Sequence, residues 1–273
     1  MKISELNSEK IGKLHAYRNA ALMEYQDMMA QPKRNIFEAI TDNAFYTQHQ
    51  LLTIAGRPDA GKTQIGMHIA KSQLMNDIPV SYIALEEMAG DVYTKLTNFA
   101  GDNVKGLLVE GVGMNEVQQI IQKIRRDYEF GFEFFVLDQL SLVDVDSVPT
   151  IREKYDKVQR MLLELVMELP ITILQISQLN REAPESDTPE NNLAESDRVL
   201  GNSKWLGVVI KSDEVDDQTN ELILRVRKSK DINGRYRNYR FKFDYKSSLM
   251  FDIEEIEDRE ATKKKKPAFE GYM

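Results

Sequence analysis

Residues Gly56 to Thr63 read GRPDAGKT: two glycines bracket four residues and are followed by a lysine and a hydroxyl side chain. The stretch lies between QLLTIA, an apolar run of strand length, and TQIGMHIAKSQLM, whose apolar residues recur at helical spacing. Glycines at this spacing let the backbone curl into a nest of N–H donors around phosphates. The lysine adds a point charge for the β and γ groups, and the threonine hydroxyl can hold magnesium. The helix that follows adds the positive end of its dipole. The pattern requires a buried strand before it and a helix after it, and both are present. We therefore expect a site for ATP and Mg2+ made by Gly56, Arg57, Pro58, Asp59, Ala60, Gly61, Lys62, Thr63 and Gln64, with Thr63 on the metal.

The same alternation continues along the chain. PVSYIAL precedes GDVYTKLTNFA, GLLVEG precedes MNEVQQIIQKIRRDY, and FEFFVLD precedes IREKYDKVQRMLLELVMEL, after which comes ITILQIS. Apolar runs without strict alternation suit strands covered on both faces, and strands alternating with helices imply a parallel sheet with right-handed crossovers. The expected fold class is α/β, a P-loop three-layer domain with a mostly parallel central sheet. KWLGVVIK, ELILRVRK and RNYRFKFDYK read as later strands, the last two forming a hairpin around Asn233-Gly234. Trp205, in the first of these, reads as core. Before the domain, Ile11, Leu14, Ala21, Tyr25 and Met28 mark one face of an amphipathic helix between about Ser8 and Met29, which QPKRN breaks. We expect an N-terminal arm over residues 1–34, a core over 35–255 and a charged, disordered tail over 256–273.

The 273 residues suffice for one substantial core, and the absence of cysteine excludes disulfides, thiolate zinc sites and cysteine nucleophiles. No stretch approaches the roughly 20 apolar residues of a bilayer span, so a cytoplasmic protein with no membrane partner is expected. A net charge of −8 argues against a surface that coats nucleic acid everywhere. It leaves room for a local basic lining, and Arg225 to Lys246 supplies a candidate.

A P-loop needs an acidic partner at the end of a nearby strand, and FEFFVLD supplies Asp138 for a water-mediated magnesium contact. Hydrolysis also needs a group that orients the attacking water. YIALEEM places Glu86 and Glu87 where the second buried strand runs out at the carboxyl edge of the sheet; strand position favours Glu86 and leaves Glu87 open.

GRPDAGKT, YIALEEM, FFVLDQLSLV and ILQISQLNRE, in this order and at these distances, resemble the ATPase domain of DnaB-type hexameric helicases, a RecA-like core from about Asn35 to Asp252. The resemblance implies that Gln178 touches the γ-phosphate and links its loss to the loop NREAPESDTPENNLAESDR, which in the family faces a central channel and holds single-stranded DNA. Arg181 and Arg198 stand at the ends of that loop as candidate DNA contacts, with only carboxylates as charged residues between them. The family also places K-x-R on a late strand, reaching into the neighbouring subunit's ATP site. Here Lys228-Ser229-Lys230 puts a lysine where that arginine is expected, as RecA-type recombinases do; Arg227 is the alternative if the register slips.

By the same resemblance the arm packs on an adjacent subunit of a homo-oligomer, a hexamer, and a form without an N-terminal domain suits a phage replication protein. Single-stranded DNA is the implied substrate track, and a primase, a loader or a single-strand-binding protein are the implied partners. The expected activity is ATP-dependent unwinding during DNA replication. Two other readings stay open: a RecA- or RadA-like recombination ATPase, which the lysine pair favours, and a regulatory or loader ATPase acting on a protein, which the acidic loop favours.

Overall fold

The computed structural model describes residues 31–37, 45–100, 105–111, 113, 115–146, 148, 150–178, 197–211, 221–229, 237–244 and 249–256, together with Met23. The chain divides into two compact units, Met1–Arg34 and Asn35–Met273. In the first, the helix expected between Ser8 and Met29 falls outside the described residues except for Met23, which is helical and exposed.

The second unit is built on a nine-stranded sheet. In chain order its strands are β1 (Gln50–Gly56), β2 (Val80–Ala84), β3 (Leu107–Glu110), β4 (Phe134–Asp138), β5 (Thr172–Gln178), β6 (Trp205–Lys211), β7 (Glu221–Ser229), β8 (Arg237–Asp244) and β9 (Leu249–Ile256). Their spatial order is β9-β8-β7-β6-β1-β5-β4-β2-β3. From β6 to β3 every pairing is parallel, whereas β6–β7, β7–β8 and β8–β9 are antiparallel. The parallel strands are joined through α1 (Lys62–Met75), α2 (Ala89–Ala100), α3 (Val117–Glu129) and α4 (Ile151–Glu168), and α5 (Asp197–Asn202) leads into β6.

Consecutive strand residues enter different cores, which is why the strands read as unbroken apolar runs. Leu52, Ile54, Tyr82, Phe134, Val136 and Leu174 pack with Ile65 and Ile69 of α1 and with Val92 and Leu96 of α2. Leu51, Ile83, Phe135, Leu137 and Ile173 pack on the opposite face with Ile120 and Ile124 of α3 and with Val158, Leu162 and Val166 of α4. The result is three layers, as the pattern predicts. Trp205 is core as expected, 1% exposed, with its ring edge-on to Phe37 at 6.2 Å.

Three features depart from the sequence reading. Leu249–Ile256 forms a ninth strand that the reading did not assign, so regular structure runs one residue past the expected end of the core; the tail expected beyond it lies outside the described residues. The polar loop after β5 was expected to run unstructured to Arg198, but Asp197 and Arg198 already belong to α5. The hairpin of β7 and β8 forms, with Val226 opposite Arg237, while its expected turn at Asn233-Gly234 lies outside the described residues. Within the basic stretch, Arg227 is buried and donates to Asn238 Oδ1 at 3.2 Å, and Arg240 pairs with Glu254 of β9 at 3.1 Å. The acidic ninth strand thus answers part of the positive charge that the sequence suggested as a free lining.

Among the described residues no helix is long and apolar enough to cross a membrane.

Candidate nucleotide site

The carboxyl ends of β1, β2, β4 and β5 lie side by side, and each carries or leads into a residue singled out in the sequence. Register fixes this arrangement. Gly56 at the end of β1 is paired with Gln178 at the end of β5, and Ala84 at the end of β2 is paired with Asp138 at the end of β4. Beyond Ala84, the Leu85 N–H donates to the Asp138 carbonyl at 2.5 Å, which fastens the segment leading to Glu86 onto the Asp138 strand.

The loop between β1 and α1 has the backbone its glycines require. Gly61 adopts φ +88°, a left-handed conformation that costs glycine little, and Asp59 is left-handed at φ 60°. At Gly56 a side chain is excluded by packing, since a Cβ would stand 2.9 Å from the Val209 carbonyl oxygen and 3.0 Å from Lys62 Cγ. Lys62 is buried and its Nζ donates to the Arg57 carbonyl at 2.8 Å, so the cation folds back over its own loop. The first-turn N–H groups of α1 open toward the same loop.

Asp138 is 2% exposed and its two oxygens have different partners. Thr63 Oγ1 lies 3.4 Å from Oδ1, while the Tyr82 hydroxyl donates to Oδ2 at 2.8 Å. Burial, with added repulsion from Glu86 and Glu87, pushes the Asp138 carboxyl up to about 6 against the opposing hydrogen bonds from Tyr82 and Thr63. Burial, together with the neighbouring Asp138 charge, also raises the Tyr82 phenol well above its ordinary value, so Tyr82 remains a donor.

A hydroxyl and a carboxylate at this separation are hard oxygen donors suited to Mg2+. Among the described residues no group of three or more His, Cys, Asp or Glu forms a cage. That fits an ion which keeps much of its water and is held mainly by phosphates.

Glu86 and Glu87 are separated by their partners. Glu86 is exposed, whereas Glu87 is half-buried and held by Lys95 Nζ of α2 at 2.5 Å. The geometry thus ties one of the two carboxylates and presents the other to solvent. Gln178 is half-buried at the tip of β5. Lys228 lies in β7 opposite Leu206, next to a bulge; Lys230 and Arg181 lie outside the described residues, as does the loop up to 196. Arg227, the alternative to Lys230, is committed to Asn238 inside the sheet.

Behind the site runs a buried polar chain that the sequence reading did not pick out. Gln159 Nε2 donates to Gln175 Oε1 at 2.6 Å, Gln175 Nε2 donates to Thr53 Oγ1 at 2.9 Å, Thr53 and Ser203 share a short hydroxyl contact, and Ser203 Oγ donates to the Val199 carbonyl at 2.5 Å. Its signal was present as a lone threonine in QLLTIA and a lone glutamine in ITILQIS. Tyr82 was likewise legible as the one phenol in PVSYIAL, four residues before Glu86.

Comparison with solved structures gives the same architecture. The ATPase domain of a DnaB-like helicase superposes with a TM-score of 0.65 at 18% identity, covering 77% of this chain and 86% of that one. The fold is that of a DnaB-type helicase ATPase domain. A DnaB-like replicative helicase, described with its interactions with primase, gives a TM-score of 0.63 at 18% identity over 75% of this chain, which spans only 57% of that protein. The RecA-like plan is shared more widely: a KaiC-like protein, PH0186 from Pyrococcus horikoshii OT3, gives 0.59 at 16% identity over 81% of this chain and all of that one. No protein-family model matches the sequence, and no curated protein does.

Proposed function

We propose that this protein hydrolyses ATP to move along single-stranded DNA and separate strands, in the manner of a DnaB-type replicative helicase. The observation that carries the reading is the register of the sheet, which aligns Gly56 with Gln178 and Ala84 with Asp138 and so brings phosphate loop, metal carboxylate and a terminal amide to one edge. DnaB-like neighbours among solved structures support the helicase class over other P-loop enzymes.

In this reading Lys62 releases the Arg57 carbonyl and binds the β and γ phosphates, while the loop amides from Gly56 to Thr63 orient them. Thr63 and Asp138 hold Mg2+, which neutralises charge on the transferred phosphoryl group. Glu86, free of the Lys95 pair that holds Glu87, orients the attacking water and takes its proton. Gln178 hydrogen-bonds the γ-phosphate through its amide and hands the change to the segment that follows β5. Lys228 and Lys230 reach the site of an adjacent copy, so turnover requires assembly as a ring, proposed to be a hexamer. Arg181 and Arg198 contact the DNA at the ends of the loop, with backbone amides supplying further grip. A primase or a loader would then act on the ring from outside.

The test is ATP-dependent strand separation on a forked DNA with single-stranded tails, with Lys62→Ala as control. Unwinding that Lys62→Ala abolishes supports the helicase. ATP turnover on bound DNA without strand separation favours a recombination ATPase, the reading to which the lysine pair points; turnover indifferent to DNA favours an ATPase directed at a protein.

A further inference from the structure

Tyr82 is fully buried in β2, between Val136 of β4 and Val109 of β3 in the sheet register. Its ring packs in the core shared with α1 and α2, where phenylalanine would serve equally well. A hydroxyl in such a place costs free energy unless it is paired. Its hydrogen bond goes to Asp138 Oδ2 at 2.8 Å. The other oxygen, Oδ1, is the one that faces Thr63, at the long distance of 3.4 Å. The two oxygens of one carboxylate are therefore divided, one engaged inside the sheet and one presented to the metal position.

We infer that Tyr82 is a positioning residue that restricts Asp138 to a single oxygen toward the metal and thereby makes the site selective for Mg2+ over larger divalent cations. This rests on the ATPase reading above. Mg2+ demands a near-octahedral shell and retains its water, so one fixed oxygen beside Thr63 suits it. Ca2+ takes a larger, irregular shell and readily accepts a carboxylate through both oxygens. Tyr82 denies Ca2+ that second oxygen. Without the phenol, Asp138 can turn about its own side-chain bond and offer both.

The experiment compares wild type with Tyr82→Phe, which removes one oxygen atom and leaves the ring. Binding of a fluorescent ATP analogue is titrated with Mg2+ and with Ca2+ at about pH 8, where an Asp138 carboxyl that titrates near 6 is ionised. Loss of a charge-assisted hydrogen bond should lower the Mg2+ to Ca2+ preference about tenfold in Tyr82→Phe, with nucleotide binding in the absence of metal unchanged. In an Asp138→Asn background the same tyrosine change should leave the ratio where it was. An unchanged ratio in Tyr82→Phe overturns the inference, and so does an equal fall in the Asp138→Asn background. If wild type binds no nucleotide with either ion, the ATPase reading itself is wrong; if it binds and only the selectivity is indifferent to Tyr82, that reading stands and this inference alone falls. A thermal melt of each variant separates a folding defect from a change at the carboxylate, and a destabilised Tyr82→Phe is replaced by 3-fluorotyrosine at the same position, whose weaker basicity at the phenol oxygen and stronger donation should raise the ratio.

Discussion

Gln178 is hydrogen-bonded in register with Gly56, so the tip of β5 and the first glycine of the phosphate loop are neighbours in the sheet. A terminal amide placed there meets the phosphate end of a bound nucleotide without disturbing the loop that holds it. Gln178→Ala should leave nucleotide affinity within about threefold, the scale of one net hydrogen bond, while abolishing the stimulation of turnover by single-stranded DNA. Equilibrium nucleotide binding and ATP turnover with and without DNA measure the two separately; a loss of binding equal to that of Lys62→Ala would assign Gln178 to the cradle instead.

The ion pair between Glu87 and Lys95 leads to a second prediction. Glu86→Gln should reduce kcat by about 10²–10⁴-fold with little change in nucleotide binding, the range expected for a lost proton acceptor. Glu87→Gln should change kcat far less, because its carboxylate is already engaged by Lys95. Single-turnover hydrolysis checks both, and reversal of the two effects would exchange the roles.

Asp138 makes the nucleotide-free protein sensitive to pH. Its folded-state value is raised to about 6 from an ordinary value near 3.8, so the folded state binds the proton more tightly than the unfolded state does. The penalty for ionising it in the fold is absent below the lower value and is fully present above the higher one, where it amounts to about 3 kcal/mol. Asp138→Asn should therefore be more stable than wild type at pH 7 and lose that advantage as the pH is lowered through the interval. Denaturant unfolding of both proteins across that range, without nucleotide or metal, provides the measurement.

The buried chain of Gln159, Gln175, Thr53 and Ser203 should behave as a unit. Thr53→Val or Gln175→Leu alone leaves a buried partner unsatisfied, at a cost of about 1–3 kcal/mol each. The double substitution should cost clearly less than the sum, since the two groups then vanish together. Unfolding free energies of the four proteins in the cycle decide it, and strict additivity would mean that the two side chains do not act on each other.

The fold was legible where local chemistry and burial agree. GRPDAGKT demanded a strand and a helix, and the strand-length apolar runs were apolar throughout because their alternate residues serve two different cores, as Leu51 and Leu52 do. Asp138 and Gln178 could be placed at strand ends because the runs containing them end there. What escaped the sequence depended on partners distant in the chain. Nothing near Glu87 says that Lys95 will hold it, nothing near Arg227 says that Asn238 will bury it, and β9 carries Asp252, Glu254 and Glu255 at a density that reads as solvated chain until β8 is seen beside it. The phenol of Tyr82 and the amide of Gln175 look incidental until the sheet brings their partners within reach.

The gathering of four strand ends at one edge has a consequence for motion. The phosphate loop, the Leu85–Glu86 segment, Asp138 and Gln178 come from separate stretches of chain, and the Leu85 to Asp138 backbone bond joins only two of them directly. A nucleotide that touches all of these segments acts as a tie between independently opening pieces, so its arrival should slow amide hydrogen exchange at all of them together and its hydrolysis should release them together.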